Sequence, residues 1–295
     1  MVILTGLPVQ AAPARAQSTG FAVDRFDPAE RGSEWFTNES LDLRGNLRPT
    51  AGLVLEYAYR PLVLYNPDGS LRTSIVRDQF FAHLGGAVNL ADRLRIGISI
   101  PVAVYQFGRA VSADGVDFAP PAGGDVGDIR LGIDARLFGR HGNVFTAALG
   151  IQAYLPSGRR DTFTGDEALR LHPRALAAGE WGPLVYSGRV GFQYRAFDAT
   201  FAGVGLGSEL VFGAAAGAKV LEKALVLGPE IYGSTIVGSD DGPFRTHNTP
   251  VELLFGAHYT VAGEWRAGAG LGPGLARGHG APAFRLVGSM EWVPP

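Results

Sequence analysis

Several features of ordinary soluble proteins are missing from this sequence. The 295 residues include no cysteine, only 18% of them are charged, and the formal net charge is −2. Soluble domains carry about 25% charged residues, and proteins that bind nucleic acid usually carry a positive field. The composition does not fit a typical cytosolic enzyme, and no nucleic-acid partner is expected. The absence of cysteine is compatible with an oxidising compartment such as the periplasm.

Long apolar runs are also absent. No uninterrupted apolar stretch reaches the roughly 18 residues that indicate a membrane helix. Glycine accounts for 42 residues, which is about twice its usual share, and glycine or polar residues interrupt the apolar segments at alternate positions. A membrane protein without spanning helices must be a closed barrel, because only helices and closed sheets satisfy every backbone polar group in lipid.

From Thr50 onward the sequence has an alternation of period two, which is typical of β-strands. In the segment 125–139, Leu131 and Ile133 occupy one face, whereas Arg130 and Asp134 occupy the other. On a helix these charges would scatter around the axis. On a strand they separate into an apolar face and a charged face.

About twelve such segments are present, and their lengths suit tilted membrane strands. They cover residues 50–60, 74–90, 93–107, 125–138, 143–155, 168–179, 183–196, 206–220, 224–236, 249–262, 264–272 and 283–293. Pro173 and Pro229 make two of these segments the weakest. The connections alternate between long and short, as in barrels with long external loops and short periplasmic turns.

The sequence therefore predicts an all-β protein, a closed antiparallel transmembrane β-barrel in the bacterial outer membrane, surrounded by lipid and lipopolysaccharide. Aromatic residues near the strand ends fit the girdles found at membrane interfaces. Examples are Tyr105, Tyr194, Tyr232, Trp265 and Trp292. A soluble all-β binding module is the alternative, but the regular alternation of connections and the low charge content argue against it.

The chain divides into four predicted parts. Residues 1–16 end in the small-x-small site Ala14–Ala16 and predict a signal peptide whose start is truncated. Residues 17–49 contain four aromatic residues among charged ones, which predicts an ordered periplasmic or plug segment. Residues 50–293 form the predicted barrel, and 294–295 are expected to begin a linker.

The polar strand faces are predicted to line the lumen, with more basic than acidic residues. Both an open channel of mild anion preference and a lumen closed by a plug or by salt bridges are compatible with this pattern. Inward glycines would leave room for water or for a folded-in segment. The predicted lumen-lining residues are Glu56, Arg77, Arg95, Asp128, Arg130, Asp134, Arg136, Arg174, Arg189, Glu209, Lys219, Glu230, Glu252, Arg266, Arg285 and Glu291.

Signals for catalysis and metal binding are weak. His83, His172 and His258 fall on the inward face, so they do not form the outward His-Ser pair of barrel lipases. Asp240-Asp241 with His247 is the nearest match to the rim of omptin-like proteases, and a hydrated loop is the better interpretation. The carboxylates Asp161, Asp166 and Glu167 could hold calcium, but solvated loop charge is favoured. We expect no enzymatic activity, no metal site and no cofactor.

Four stretches resemble known barrel families. Phe26–Phe36, Ser40–Gly45 and Tyr57–Tyr65 resemble the barrel of myxobacterial OmpA-family proteins. Gly124–Gly132 is similar to a segment shared by those barrels and by phenol-pathway-type outer-membrane transporters. The first resemblance implies a barrel that anchors a peptidoglycan-binding domain. TraB-like members of that family work with a surface receptor protein in contact-dependent outer-membrane exchange. Peptidoglycan contact is expected only through a further C-terminal domain.

Two functions follow for a membrane barrel. The resemblance favours an envelope anchor that binds a partner protein at the cell surface. The alternative is a passive porin or transporter channel for small solutes.

Overall fold

The structure is a computed structural model that describes residues 16–17, 20–66, 68–113, 116–121, 123–196, 199–201, 204–237, 242–276 and 278–295. The predicted signal peptide, apart from Ala16, and the loop residues Asp240 and Asp241 lie outside these ranges. Within them, no helix is long and apolar enough to span a membrane.

Twelve antiparallel strands of the described chain close into one barrel, as the sequence predicts. The strands are β1 (Arg48–Tyr65), β2 (Leu71–Leu90), β3 (Leu94–Phe107), β4 (Arg130–Phe138), β5 (Thr146–Tyr154), β6 (Arg170–Trp181), β7 (Leu184–Arg195), β8 (Glu209–Val220), β9 (Leu225–Ile236), β10 (Val251–Val261), β11 (Trp265–Pro273) and β12 (Phe284–Trp292). Each strand pairs with its neighbours in sequence, and β12 pairs with β1, where Gly288 faces Leu55. A closed ring has no unpaired edge.

Alternation along the strands separates an apolar outer wall from a polar inner wall. In β4, Ile133 is 50% exposed and Leu137 is 61% exposed, whereas Arg130 and Asp134 in the alternate positions are buried. The same alternation holds in β5, where Leu149 and neighbouring apolar residues are exposed. Large apolar side chains therefore cover the outside of the barrel, and charged side chains fill the inside.

The two ends of the barrel differ. Short connections, such as 91–93 and 182–183, lie at one end, here called the turn end. Ala91 and Asp92 both have φ near +50°, as the type I′ turn of a tight hairpin requires. The long connections lie at the opposite end, here called the loop end, and contain the short strand pairs Val111–Ala113 with Val116–Phe118 and Ala199–Phe201 with Val204–Leu206.

Three details differ from the sequence-based expectations. The segment 125–138 is interrupted: Asp125–Val126 pairs with β3, and β4 begins only at Arg130. Between them Asp128 turns inward, where its carboxylate accepts the Gly158 and Asp166 N–H groups. Tyr232 does not join an outer aromatic girdle, because it is 2% exposed and faces the lumen. The two prolines predicted to weaken strands lie on exposed outward positions, at Pro173 and Pro229.

Candidate functional site: the occupied lumen

Residues 20–47, here called the N-terminal segment, run through the barrel from the loop end to the turn end. At the loop end, Ala22 N–H donates to Asp166 over 2.9 Å. At the turn end, Gly45 N–H donates to the Asp92 carboxylate over 2.6 Å. Because β1 begins at Arg48 on the turn end, the chain passes along the lumen before it enters the wall. This part of the chain has no helix or strand.

The charges of the N-terminal segment complement those of the wall. The segment contains six acidic and three basic residues, and it faces a wall with more basic than acidic side chains. Asp27 pairs with Arg130 and also accepts the Tyr154 hydroxyl at 2.9 Å. Glu39 lies 2.7 Å from Arg95.

Arg285 of β12 is enclosed by carboxylates from both the segment and the wall. Its Nη1 lies 3.1 Å from Asp24 and also contacts Glu56, while Nε lies 2.8 Å from Glu252. The hydroxyl of Tyr232 donates to the same Glu252 carboxylate over 2.9 Å. Asp24, Glu56 and His83 approach one another closely enough to be considered as metal ligands, but the guanidinium already neutralises the two carboxylates.

Glu230 of β9 holds the middle of the N-terminal segment through backbone contacts. Its carboxylate accepts the N–H groups of Phe36, Thr37 and Asn38 at 2.6, 2.9 and 3.1 Å. The Thr37 hydroxyl and the Asn38 side-chain amide also donate to it. Successive N–H groups that converge on one anion form a backbone nest, in which each hydrogen bond is strengthened by the charge.

Inward glycines leave room for the segment. A Cβ at Gly97 would lie 2.2 Å from the Glu30 carboxylate, and a Cβ at Gly132 would lie 2.5 Å from it. Glu30 itself accepts the Gln152 side-chain amide and pairs with Arg130. Larger side chains at these two wall positions would displace the segment.

Near the turn end, both charged pairs and apolar contacts hold the segment against the barrel wall. Arg31 lies 3.2 Å from Glu291, and Arg266 donates to the carbonyls of Gly32 and Ser33 at 2.9 and 2.8 Å. Lys219 lies 2.9 Å from Glu34. Apolar side chains from the segment also pack against inward apolar residues of the wall in two clusters. The first contains Leu41, Leu43, Ala148, Leu176 and Ala178. The second contains Trp35, Val185, Ala215 and Val226.

An apolar cluster, here called the loop-end cluster, closes the other end. It consists of Phe21, Val23, Leu62, Ile75, Val76, Phe118, Phe163, Phe201 and Leu206. His279 packs edge-on against Phe21 and Phe201 there. Burial, together with the nearby Arg25 cation, lowers the pKa of His279 to about 4. Burial alone would raise the pKa of Asp166, but Arg195 and Arg170 outweigh it and hold the pKa below its ordinary value.

Nearly all of the predicted lumen-lining residues are buried. The buried ones are Glu56, Arg95, Asp128, Arg130, Asp134, Arg136, Arg174, Arg189, Glu209, Lys219, Glu230, Glu252, Arg266, Arg285 and Glu291. Arg77 is the exception: its side chain is 41% exposed, pairs with Asp78 and lies over the outward ring of Phe107. Irregular pairing of β1 with β2 beyond Tyr59, and of β2 with β3 at Phe80, changes the phase of the alternation here.

The alternation of period two does not reveal the hydroxyl contacts of the inward tyrosines or the partners that the segment supplies. Tyr154 and Tyr232 bind Asp27 and Glu252 through their hydroxyl groups. The loop carboxylates that were considered as calcium ligands bind protein donors: Asp161 pairs with Arg159, Asp166 with Arg170, and Glu167 accepts the Arg160 N–H.

A cavity of about 110 Å³ remains between residues 22–28 and the wall, in the half of the lumen nearer the loop end. One water molecule needs roughly 10–15 Å³ on this scale. The lumen of the described residues is therefore filled for most of its length, and this cavity is large enough for a small solute.

Comparison with known proteins identifies the fold. No protein-family model and no curated protein matches this chain. The COG4313 outer membrane channel from Pseudomonas putida F1 is 15% identical, with a TM-score of 0.54 over 85% of this chain and 96% of that one. The NanC porin is 7% identical, with a TM-score of 0.51 over 84% of this chain and 99% of that one. The similarity to OmpA-family proteins remains a prediction.

The closed ring, its apolar outer wall and this shared fold establish the location. Exposed apolar side chains around a twelve-stranded barrel require lipid rather than water. The chain is a bacterial outer-membrane β-barrel, and the alternative of a soluble all-β module is wrong.

Proposed function

We propose that this barrel is a non-catalytic outer-membrane channel for small solutes, closed by its own N-terminal segment. The observation that carries the proposal is the path of residues 20–47 through the lumen, held by side-chain pairs and by Glu230. The segment makes no strand pairing with the wall among the described residues. It can therefore move without breaking the barrel ladder. Two barrels of the same fold are named a channel and a porin.

The envelope anchor is the second candidate, and the filled lumen favours it. A barrel that only holds a partner or a periplasmic domain needs no path for solutes, and a lumen packed with ion pairs stabilises such a barrel. The two functions differ in one respect: an anchor stays closed when the contacts of the segment are weakened, whereas a channel opens.

Single-channel conductance in planar bilayers tests the proposal. Glu230→Gln keeps the shape of the side chain but removes the charge that binds three successive N–H groups. A hydrogen bond to a charged group contributes about 1.5–3 kcal/mol, so the ratio of open to closed time should rise by about 10–100-fold. Glu222→Gln changes an exposed glutamate in the β8–β9 turn and should behave like the wild type.

A reversible crosslink provides the complementary measurement. The Cβ position of Gly32 lies 3.8 Å from Cβ of Thr50, which is close to the mean for disulfides. In the Glu230→Gln background, oxidised Gly32→Cys/Thr50→Cys should close the channel, and a reductant should reopen it. Gly32 has φ +96°, so the single Gly32→Cys variant controls for backbone strain. Absence of current in Glu230→Gln, and in a variant lacking residues 20–44 whose circular dichroism shows a folded barrel, would reject the channel and leave the anchor.

A further inference from the structure

The cavity beside the N-terminal segment contains a cation without a hydrogen-bonded counterion. Arg189 of β7 lines this cavity, and its side chain is 4% exposed. Its Nε and Nη1 atoms have no hydrogen-bond partner among the described residues. Asp27 Oδ2 lies 4.0 Å from Nη1, and the Asp27 carboxylate already binds Arg130 and Tyr154. A buried charge without a partner costs several kcal/mol.

The other arginines around the cavity are satisfied by carboxylates. Arg25 lies 2.7 Å from Glu209, and Arg170 lies 2.9 Å from Asp128. Arg130 and Arg170 also have guanidinium nitrogens without a hydrogen bond, but each of them already hydrogen-bonds a carboxylate. Among the described residues, Arg189 is the lining arginine whose nearest carboxylate oxygen is as far as 4.0 Å away. The ligand group that suits a buried guanidinium is a carboxylate, which accepts two parallel N–H bonds.

A hydrogen-bond acceptor lines the same cavity. The Gln152 side chain donates its amide to Glu30, so its oxygen, 3.2 Å from His172 Nδ1, accepts the imidazole N–H. His172 Nε2 is then an acceptor, and it has no partner among the described residues. It lies over Gly191, where a Cβ would be only 2.4 Å away. Gly191 shares the inward face of β7 with Arg189, two residues apart.

The rest of the cavity suits an apolar body. Phe26, Phe81, Val211 and Tyr232 are among the residues that line it. A ring placed against them would be removed from water, and apolar burial favours binding by about 25 cal/mol per Å². The cavity therefore combines carboxylate donors, an adjacent acceptor and an apolar surface.

We propose that this cavity binds a small aromatic carboxylate with a hydroxyl group on the carbon next to the carboxylate. Arg189 binds the carboxylate, His172 Nε2 accepts the hydroxyl, and the ring packs near Phe26 and Phe81. The inference names a solute class for the proposed channel and in that respect rests on it. Binding itself requires only the cavity.

Isothermal titration of the full chain in neutral detergent, with empty micelles subtracted, tests the site with three matched probes. Mandelate has the carboxylate, the hydroxyl and the ring; phenylacetate lacks the hydroxyl; 1-phenylethanol lacks the carboxylate. A neutral hydrogen bond contributes about 0.5–1.5 kcal/mol and a charged one about 1.5–3 kcal/mol. Mandelate should therefore bind about 2–10-fold more tightly than phenylacetate and about 10–100-fold more tightly than 1-phenylethanol. His172→Leu should abolish only the first preference.

Arg189→Met separates a ligand site from a structural role. Because it removes a buried cation without a hydrogen-bonded counterion, it should raise the unfolding temperature of the ligand-free barrel and abolish mandelate binding. Arg136→Met removes another buried lumen arginine outside the cavity and should leave binding unchanged. Arg189→Lys keeps the charge but loses the planar fork of donors, so it should bind mandelate more weakly than wild type and more tightly than Arg189→Met. Undiminished binding to Arg189→Met, or a lower unfolding temperature, would overturn the proposal.

The result is distinguishable from failure of the channel proposal. Mandelate binding by a barrel that never conducts would preserve this site and reject the channel. Conductance after Glu230→Gln without mandelate binding would reject this site and preserve the channel.

Discussion

Arg285 joins three carboxylates inside the lumen. Its side chain is 1% exposed and contacts Asp24, Glu56 and Glu252. Breaking a buried ionic cluster by removing one member costs about 3–5 kcal/mol, because the remaining charges lose their partner. Arg285→Leu should lower the free energy of unfolding in micelles by that amount, measured by urea titration with tryptophan fluorescence. Arg93→Leu, in the exposed β2–β3 turn, should change it by less than about 0.5 kcal/mol, and an equal loss in both would contradict the assignment.

His279 should make the loop-end cluster sensitive to pH. Its pKa of about 4 is below that of an unfolded histidine, about 6.5. The unfolded chain therefore binds the proton more readily, so the stabilisation is complete above about pH 6.5 and is lost as the pH falls toward 4. Hydrogen exchange of residues 20–24, corrected for its intrinsic rate, should be faster at about pH 5 than at about pH 7.5.

The matched variant for this pH effect is His279→Phe. A phenyl ring keeps the packing against Phe21 and Phe201 but cannot be protonated. Exchange of residues 20–24 in this variant should lose most of its dependence on pH above about 5. An unchanged dependence would assign the effect to another group. Asp166, whose pKa is also lowered, loses its contribution only at lower pH than this window.

The inward or outward direction of a side chain could be predicted where its strand is regular. Its contact partners could not be predicted where they come from a distant part of the chain. The sequence predicts that Arg130 and Glu230 face inward, because each occupies the polar phase of a strand. It does not predict that Arg130 meets Asp27 or that Glu230 binds the backbone of Phe36, since these partners are more than one hundred residues away. The prediction that Arg77 lines the lumen was wrong, because irregular strand pairing shifts the inward and outward alternation there.

Whole strands were the most predictable feature of the chain. Period two, long and short connections and turn residues all depend on local sequence, and they give the order and approximate bounds of β1 to β12. The exception is β4, whose start at Arg130 depends on hydrogen bonds that Asp128 makes with a later loop. The position of residues 20–47 inside the barrel could not be derived in this way, because a sequence without periodicity does not specify where a segment packs.

The position of the bilayer along the strands can be tested with arginine substitutions on the outer wall. Leu149 lies near the middle of β5 and is 52% exposed, whereas Leu184 lies at the turn end of β7 and is 43% exposed. Arginine costs about 2–4 kcal/mol at the bilayer midplane and about 0–1 near the interface. Leu149→Arg should thus destabilise the barrel in lipid vesicles much more than Leu184→Arg. Equal losses would contradict the assigned position of the membrane.

The path of the N-terminal segment gives the whole molecule an unusual topology. Long loops of outer-membrane barrels face outward, and the backbone of Ala16–Gln17 pairs with Val116–Asp117 at the loop end. An epitope tag inserted after Gln17 should therefore bind antibody on intact cells. The same tag after Pro295 should react only after permeabilisation, because β12 ends on the periplasmic side. A tag after Gln17 that stays inaccessible on intact cells would contradict the path.

The same path constrains assembly. To thread the finished barrel from its turn end, nine charged side chains of the segment would have to pass one another inside a narrow ring, largely stripped of water. A wall that wraps around residues 20–47 before β12 meets β1 avoids this barrier. The segment then acts as a template that sets the circumference of the barrel while the strands pair. The last pairing, of β12 with β1, closes the ring around an interior that is already packed.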